Sequence, residues 1–152
     1  MPYFRIALFS IGLIFQITSV GMAGLPLPGY VYELVDMAEA QDDARQWGQL
    51  IAIVWTDLDC GCRLAESATY DAFRELHDDM TIVYACSKTD WKQLPPVVRK
   101  ALRSTESGKY IPKTVIVDAG MSQVVAIVPY IRNPEERVSK LEQTIIKTKD
   151  NE

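Results

Sequence analysis

The chain has 152 residues, of which 48% are hydrophobic, enough for one compact core and too little for two. Sixteen Lys and Arg stand against 20 Asp and Glu, a formal net charge of −4, so the composition offers no basic stripe and nucleic acid is excluded as the expected partner.

Residues 1–23 carry one charge, Arg5, then the apolar run 6–15, then the small-residue end Gly21-Met22-Ala23. That layout predicts a secretory signal peptide over 1–23 and a single domain over 24–152. Gln16, Thr18 and Ser19 dilute the second half, leaving the apolar run short of the ~20 residues a spanning helix needs. An uncleaved anchor is the alternative. No cysteine lies near the junction, so a lipid-modified N-terminus is not expected. Removing 1–23 takes away Arg5 alone among charged side chains and leaves a mature charge of −5. The expected destination is exported, periplasmic or secreted, with no membrane contact after cleavage. In such an oxidising compartment cysteines form disulfides or run redox chemistry. Three of them, Cys60, Cys62 and Cys86, cannot all pair within one molecule.

After a Pro/Gly leader, residues 31–47 place Val31, Leu34, Val35 and Ala38 at helical spacing among acidic positions, which predicts an amphipathic helix stopped by Gly48. Leu50-Ile51-Ala52-Ile53-Val54-Trp55 is a continuous apolar run, the pattern of a central strand buried on both faces and paired in parallel. From Cys62 to about His77 there is no Pro or further Gly, and Leu64, Ala68, Ala72 and Leu76 fall four apart, a second helix. Residues 81–86 read as the next strand, closing a strand-helix-strand unit with a right-handed crossover. Pro95-Pro96 opens a third helix to about Thr105, and Gly108 ends it. Residues 114–118 and 123–128 flank the turn Ala119-Gly120 and must run antiparallel. Asn133, Pro134 and two glutamates start a last helix with Val138, Leu141 and Ile145 inward. The expected fold is α/β, a mixed sheet flanked by helices, parallel in its first half and ending in an antiparallel hairpin.

That order and the segment Trp55-Thr56-Asp57-Leu58-Asp59-Cys60-Gly61-Cys62-Arg63 resemble the thioredoxin superfamily, where a buried strand delivers a Trp-Cys-x-x-Cys-Lys type motif to a helix start. Ile111-Pro112-Lys113-Thr114 resembles its second signature, a cis-proline loop beside the dithiol. The similarity spans roughly residues 31–147. Aligned on Trp55 and Arg63, Cys62 stands where the family has its second cysteine, Asp59 where it has its first, and Cys60 one step inside. The family's Cys-x-x-Cys has become Cys-x-Cys.

The resemblance implies thiol-disulfide exchange by Cys60 and Cys62, with no bound cofactor and electrons passed to or from a redox partner protein. Substrates would be protein or small-molecule thiols and disulfides. A helix start presents unpaired N–H groups and favours a thiolate. Gly61 removes bulk between the sulfurs, and a ring this small would be strained and therefore more oxidising. Asp57 and Asp59 place negative charge beside the thiols, offset in part by Arg63. Cys60 is expected to attack and Cys62 to resolve, with the opposite assignment open. Ile111 and Pro112 would hold an extended substrate by strand-like pairing. Trp55 is either a substrate platform or core packing. Cys86 and His77 read as a buried small hydrophobe and a surface histidine. Two other functions stay open: a non-catalytic binding module using the same surface, and a copper(I) carrier using the two thiolates.

Overall fold

Leu50–Thr56 (β2) is the middle strand of a five-stranded sheet, and Ile51, Ala52, Ile53 and Val54 have no solvent exposure on either face. The computed structural model describes residues 26–150, so the predicted signal segment, 1–23, lies outside the described residues. Around β2 the strands are Val31–Glu33 (β1), Met80–Cys86 (β3), Lys113–Val117 (β4) and Val124–Val128 (β5), in the order β1-β3-β2-β4-β5. β1 and β2 run parallel to β3, and β4 is antiparallel to both β2 and β5, the mixed sheet the sequence predicts.

Alternation along β2 divides the core into two layers, because successive strand side chains point to opposite faces. Ile51, Ile53 and Trp55 pack with Ala40 and Ala44 of Met37–Trp47 (α1) and with Val98, Ala101 and Leu102 of Pro96–Leu102 (α3). Ala52 and Val54 pack with Ala72, Phe73 and Leu76 of Arg63–Leu76 (α2) and with Leu141 and Ile145 of Pro134–Lys149 (α4). Asn133 caps α4 by accepting from the Glu136 N–H at 3.1 Å, as its sequence predicts.

Three expectations are corrected. The helix expected over 31–47 begins only at Met37: residues 31–33 are β1, followed by a short 3-10 turn over Leu34–Asp36. Over three residues a strand period and a helix period cannot be told apart, and β1 is fixed by pairing with β3, an interaction remote in sequence. The buried positions there are Leu34, Ala40 and Ala44, whereas Val35 is 73% exposed. Leu64 is likewise off the buried stripe of α2, which runs through Ala65, Ala68, Thr69, Ala72, Phe73 and Leu76. The third helix stops at Leu102 and is followed by a 3-10 turn, Thr105–Ser107, before Gly108.

Candidate functional site

The cysteines follow β2 directly. Its last residue is held from both sides: Thr56 Oγ1 shares a 3.1 Å hydrogen bond with Thr69 Oγ1 of α2, and its carbonyl accepts from the Ser87 N–H at 2.7 Å. Asp57 then opens the turn. Its buried carboxylate accepts the Asp59 N–H at 3.0 Å through Oδ1 and meets Lys88 Nζ at 2.7 Å through Oδ2. The negative charge expected from Asp57 is therefore matched by a cation, leaving Asp59 as the exposed carboxylate of the turn.

Cys60, Gly61 and Cys62 are exposed, and the thiols of Cys60, Cys62 and Cys86 are all free. Cys62 is the N-cap of α2, with its carbonyl accepting the Glu66 N–H at 3.0 Å. Its own N–H donates to Cys60 Sγ at 3.3 Å. The Cys60 sulfur thus accepts a backbone hydrogen bond beside the start of a helix. Gly61 has φ +66°, and a Cβ there would meet nothing within 4 Å. The backbone's left-handed conformation at this position favours glycine.

On the β3 side, Cys86 pairs in register with Thr56, is half-buried, and donates its N–H to Asp90 Oδ2 at 2.7 Å. Burial, then the neighbouring Cys86 thiol, pushes the Tyr84 hydroxyl well above the usual tyrosine range. Lys88 is pushed up by its hydrogen bond to Asp57. Sequence reasoning missed Lys88, and no local signal marks it.

On the β4 side, the Ile111–Pro112 peptide is cis, and Lys113 pairs with Trp55, so this loop stands at the dithiol end of the sheet. Pro112 is buried in a small cavity shared with Ala68 and Ala72 of α2 and with Arg137 of α4. Arg137, 5% exposed, holds Asp71 through Nε at 2.9 Å and also through Nη2, while Nη1 donates to the Ile131 carbonyl at 2.8 Å. One buried guanidinium thus ties α2, α4 and the loop after β5 together behind the proline. Burial lowers the pKa of Lys113, whose Nζ reaches Ser107 Oγ at 3.3 Å.

Trp55 is 8% exposed and its ring meets Trp91 edge-on at 5.6 Å, so it packs the core beneath the site and offers a partner little surface. The exposed apolar groups near the thiols are Leu64, 53% exposed, and Tyr110, 71% exposed and edge-on to Tyr130 at 6.3 Å. Tyr110 could have been found as the neighbour of Ile111-Pro112, and Leu64 as the apolar residue at the first turn of α2. His77 lies at the far end of α2, where its ring meets Tyr30 at 4.7 Å. Among the described residues no three His, Cys, Asp or Glu side chains converge into a metal-holding group.

A sheet of order β1-β3-β2-β4-β5 with helices on both faces is a thioredoxin-like fold, and the chain has it. The structure is similar to the solution structure of a thioredoxin from Thermus thermophilus, with 17% identity over 77% of this chain and 87% of that one and a TM-score of 0.50. A structure described as DsbH oxidoreductase aligns at 18% identity over 90% of this chain and 94% of that one, with a TM-score of 0.46. No family model matches the sequence, and no curated protein matches it. At these identities the likeness speaks for the fold. No helix among the described residues is long and apolar enough to cross a membrane.

Proposed function

We propose that this chain is an exported thiol-disulfide oxidoreductase, its domain following a signal segment over residues 1–23, with Cys60 and Cys62 as the reacting pair. The observation that carries the reading is the Cys62 N–H aimed at Cys60 Sγ at the start of α2, beside the Ile111–Pro112 loop. Cys60 is the attacking sulfur in this scheme. Its thiolate attacks one sulfur of a substrate disulfide, forming a mixed disulfide and releasing the other sulfur as a thiolate, which takes up a proton. Cys62, after losing its own proton to water, attacks Cys60 Sγ. The mixed disulfide breaks, the second substrate thiol leaves, and the substrate has gained two electrons while Cys60 and Cys62 have become a disulfide. The reverse sequence oxidises a dithiol. Ile111 offers backbone groups for strand-like pairing with an extended substrate, with Gly61 and Pro112 bordering it.

Thiol trapping across a graded glutathione buffer tests this. A two-electron transition of the pair between roughly −120 and −230 mV is expected, the span of catalytic oxidants, isomerases and glutaredoxins. A pair that never links, or stays linked below about −300 mV, defeats the proposal. In the attack scheme Cys60→Ser abolishes mixed-disulfide formation, and Cys62→Ser accumulates it.

The exposure of Leu64 and Tyr110 favours a second reading, a binding module that holds a partner without turnover. It predicts that Cys60→Ser leaves partner affinity unchanged and that the wild type catalyses no exchange.

A further inference from the structure

Charge is spread unevenly along the chain. Residues 26–87 carry twelve carboxylates and three basic groups, whereas residues 88–113 carry seven basic groups and two carboxylates, Asp90 and Glu106. The basic stretch is the connection from β3 to β4, and both of its ends lie at the dithiol end of the sheet. It leaves just after Cys86, which pairs with Thr56, and returns at Lys113, which pairs with Trp55.

Lys88 alone of the seven basic groups has an ionic partner among the described residues. Among the described residues no carboxylate lies within ion-pair distance of Lys92, Arg99, Lys100, Arg103, Lys109 or Lys113. Asp90 is engaged by the Cys86 N–H and the Thr89 hydroxyl, and Glu106 lies with Lys100 in a groove against β5. Arg99, Lys100 and Arg103 line an open cleft with Pro96, and the Arg103 guanidinium lies 4.9 Å over the Trp91 ring, which in turn meets Trp55. Lys109 directly precedes Tyr110 and Ile111, where a substrate strand would lie. The dipole of α3 accounts for basic residues in its last turn, yet Lys92 and Lys109 are outside that helix.

We propose that the thiol or disulfide partner of this site is an acidic polypeptide, its cysteine presented at Cys60 and Cys62 and flanking carboxylates lying on Lys92, Arg99, Lys100, Arg103 and Lys109. This rests on the exchange reading above. A lipid surface or a nucleic acid would match the charge but brings no thiol to the dithiol, which stands at the end of the sheet where the basic connection leaves and returns. Asp59, the exposed carboxylate of the cysteine turn, belongs to the acidic stretch, so the basic groups must outweigh its repulsion as the partner approaches.

The test uses the reduced full chain and two peptides that differ only in flanks, Glu-rich or Lys-rich, each carrying its cysteine as a mixed disulfide with mercaptoethanol. At about 20 mM ionic strength the acidic peptide should exchange about tenfold faster or more, and the ratio should fall toward one at about 0.5 M salt. Lys92→Glu/Lys100→Glu/Lys109→Glu should invert the ratio while leaving the rate with the neutral disulfide of mercaptoethanol unchanged. Equal peptide rates at low salt overturn the proposal, and sedimentation of the chain with anionic but not neutral vesicles would then identify a membrane surface instead. If the neutral disulfide is not reduced at all, the exchange reading is what fails. Equilibrium binding of cysteine-to-serine versions of the same peptides then decides the patch: preference for the acidic one upholds it, and equal affinity overturns it.

Discussion

Two turns at opposite ends of the sheet each begin with an aspartate just past a strand, and they are built differently. Asp118, after β4, gathers its turn locally: its carboxylate accepts from the N–H groups of Gln123 at 2.6 Å, Ser122 at 2.8 Å and Gly120 at 3.2 Å, and from the Ser122 hydroxyl at 2.9 Å. Asp57, after β2, accepts one backbone N–H, that of Asp59, and its other oxygen meets Lys88, thirty-one positions later in the chain. Three amides of the Asp118 turn thus converge on one carboxylate, and that of Met121 on the Asp118 carbonyl. In the cysteine turn the Cys62 N–H goes to a sulfur instead. The Asp118 turn is closed by its own sequence, whereas the cysteine turn adds to its local Asp59, Cys60 and Cys62 amide bonds a tie to Lys88 from another part of the chain.

The comparison is broken most forcefully at Asp118. Replacing it by Ala leaves three N–H groups without their acceptor, and the expected loss is about 2 kcal/mol in urea unfolding, with the exchange rate at the dithiol unaltered. The opposite pattern is expected at the other turn. Lys88→Ala removes a largely solvent-exposed cation from Asp57, a pair that water screens, so the cysteine turn loosens and exchange changes, while global stability falls by less than in Asp118→Ala. Adding Asp57→Asn to Lys88→Ala removes the unmatched charge and should return part of the lost stability. If Lys88→Ala leaves exchange with the neutral mercaptoethanol disulfide unchanged, the external support of the cysteine turn has no functional consequence.

The same contrast explains what could be read in advance. β2, the body of α2 and the β4–β5 hairpin each carry their own period or turn chemistry, and a sequence reader finds them. β1 is three residues whose strand character comes from Ile82, Val83 and Tyr84 across the sheet. The locations of Cys60, Cys62 and Pro112 were legible because strand, helix start and X-Pro are local signs. Lys88 beside Asp57, Trp55 beneath Trp91, and Arg137 behind the proline were not, since each depends on elements that meet only in the folded chain. The net charge of −4 likewise averages a carboxylate-rich stretch, 26–87, with a basic one, 88–113, and so does not display the second.

The smallest effect separates the two aspartates by pH. Burial alone would raise the Asp118 carboxyl, but the hydrogen bonds from Gln123, Ser122 and Gly120 outweigh it and hold the group below its ordinary value of 3.8. A carboxyl depressed by folding stabilises the native state fully above its unfolded pKa and loses that contribution as pH falls through the lower folded value. The stability gap between wild type and Asp118→Asn should therefore be constant from neutral pH down to about 4 and shrink below 3.8. Thermal unfolding of both proteins across that range reads it. A gap that persists undiminished at the lowest pH would mean that the turn depends on the shape of the side chain and not on its charge, and the local closure argued for Asp118 would then rest on geometry alone.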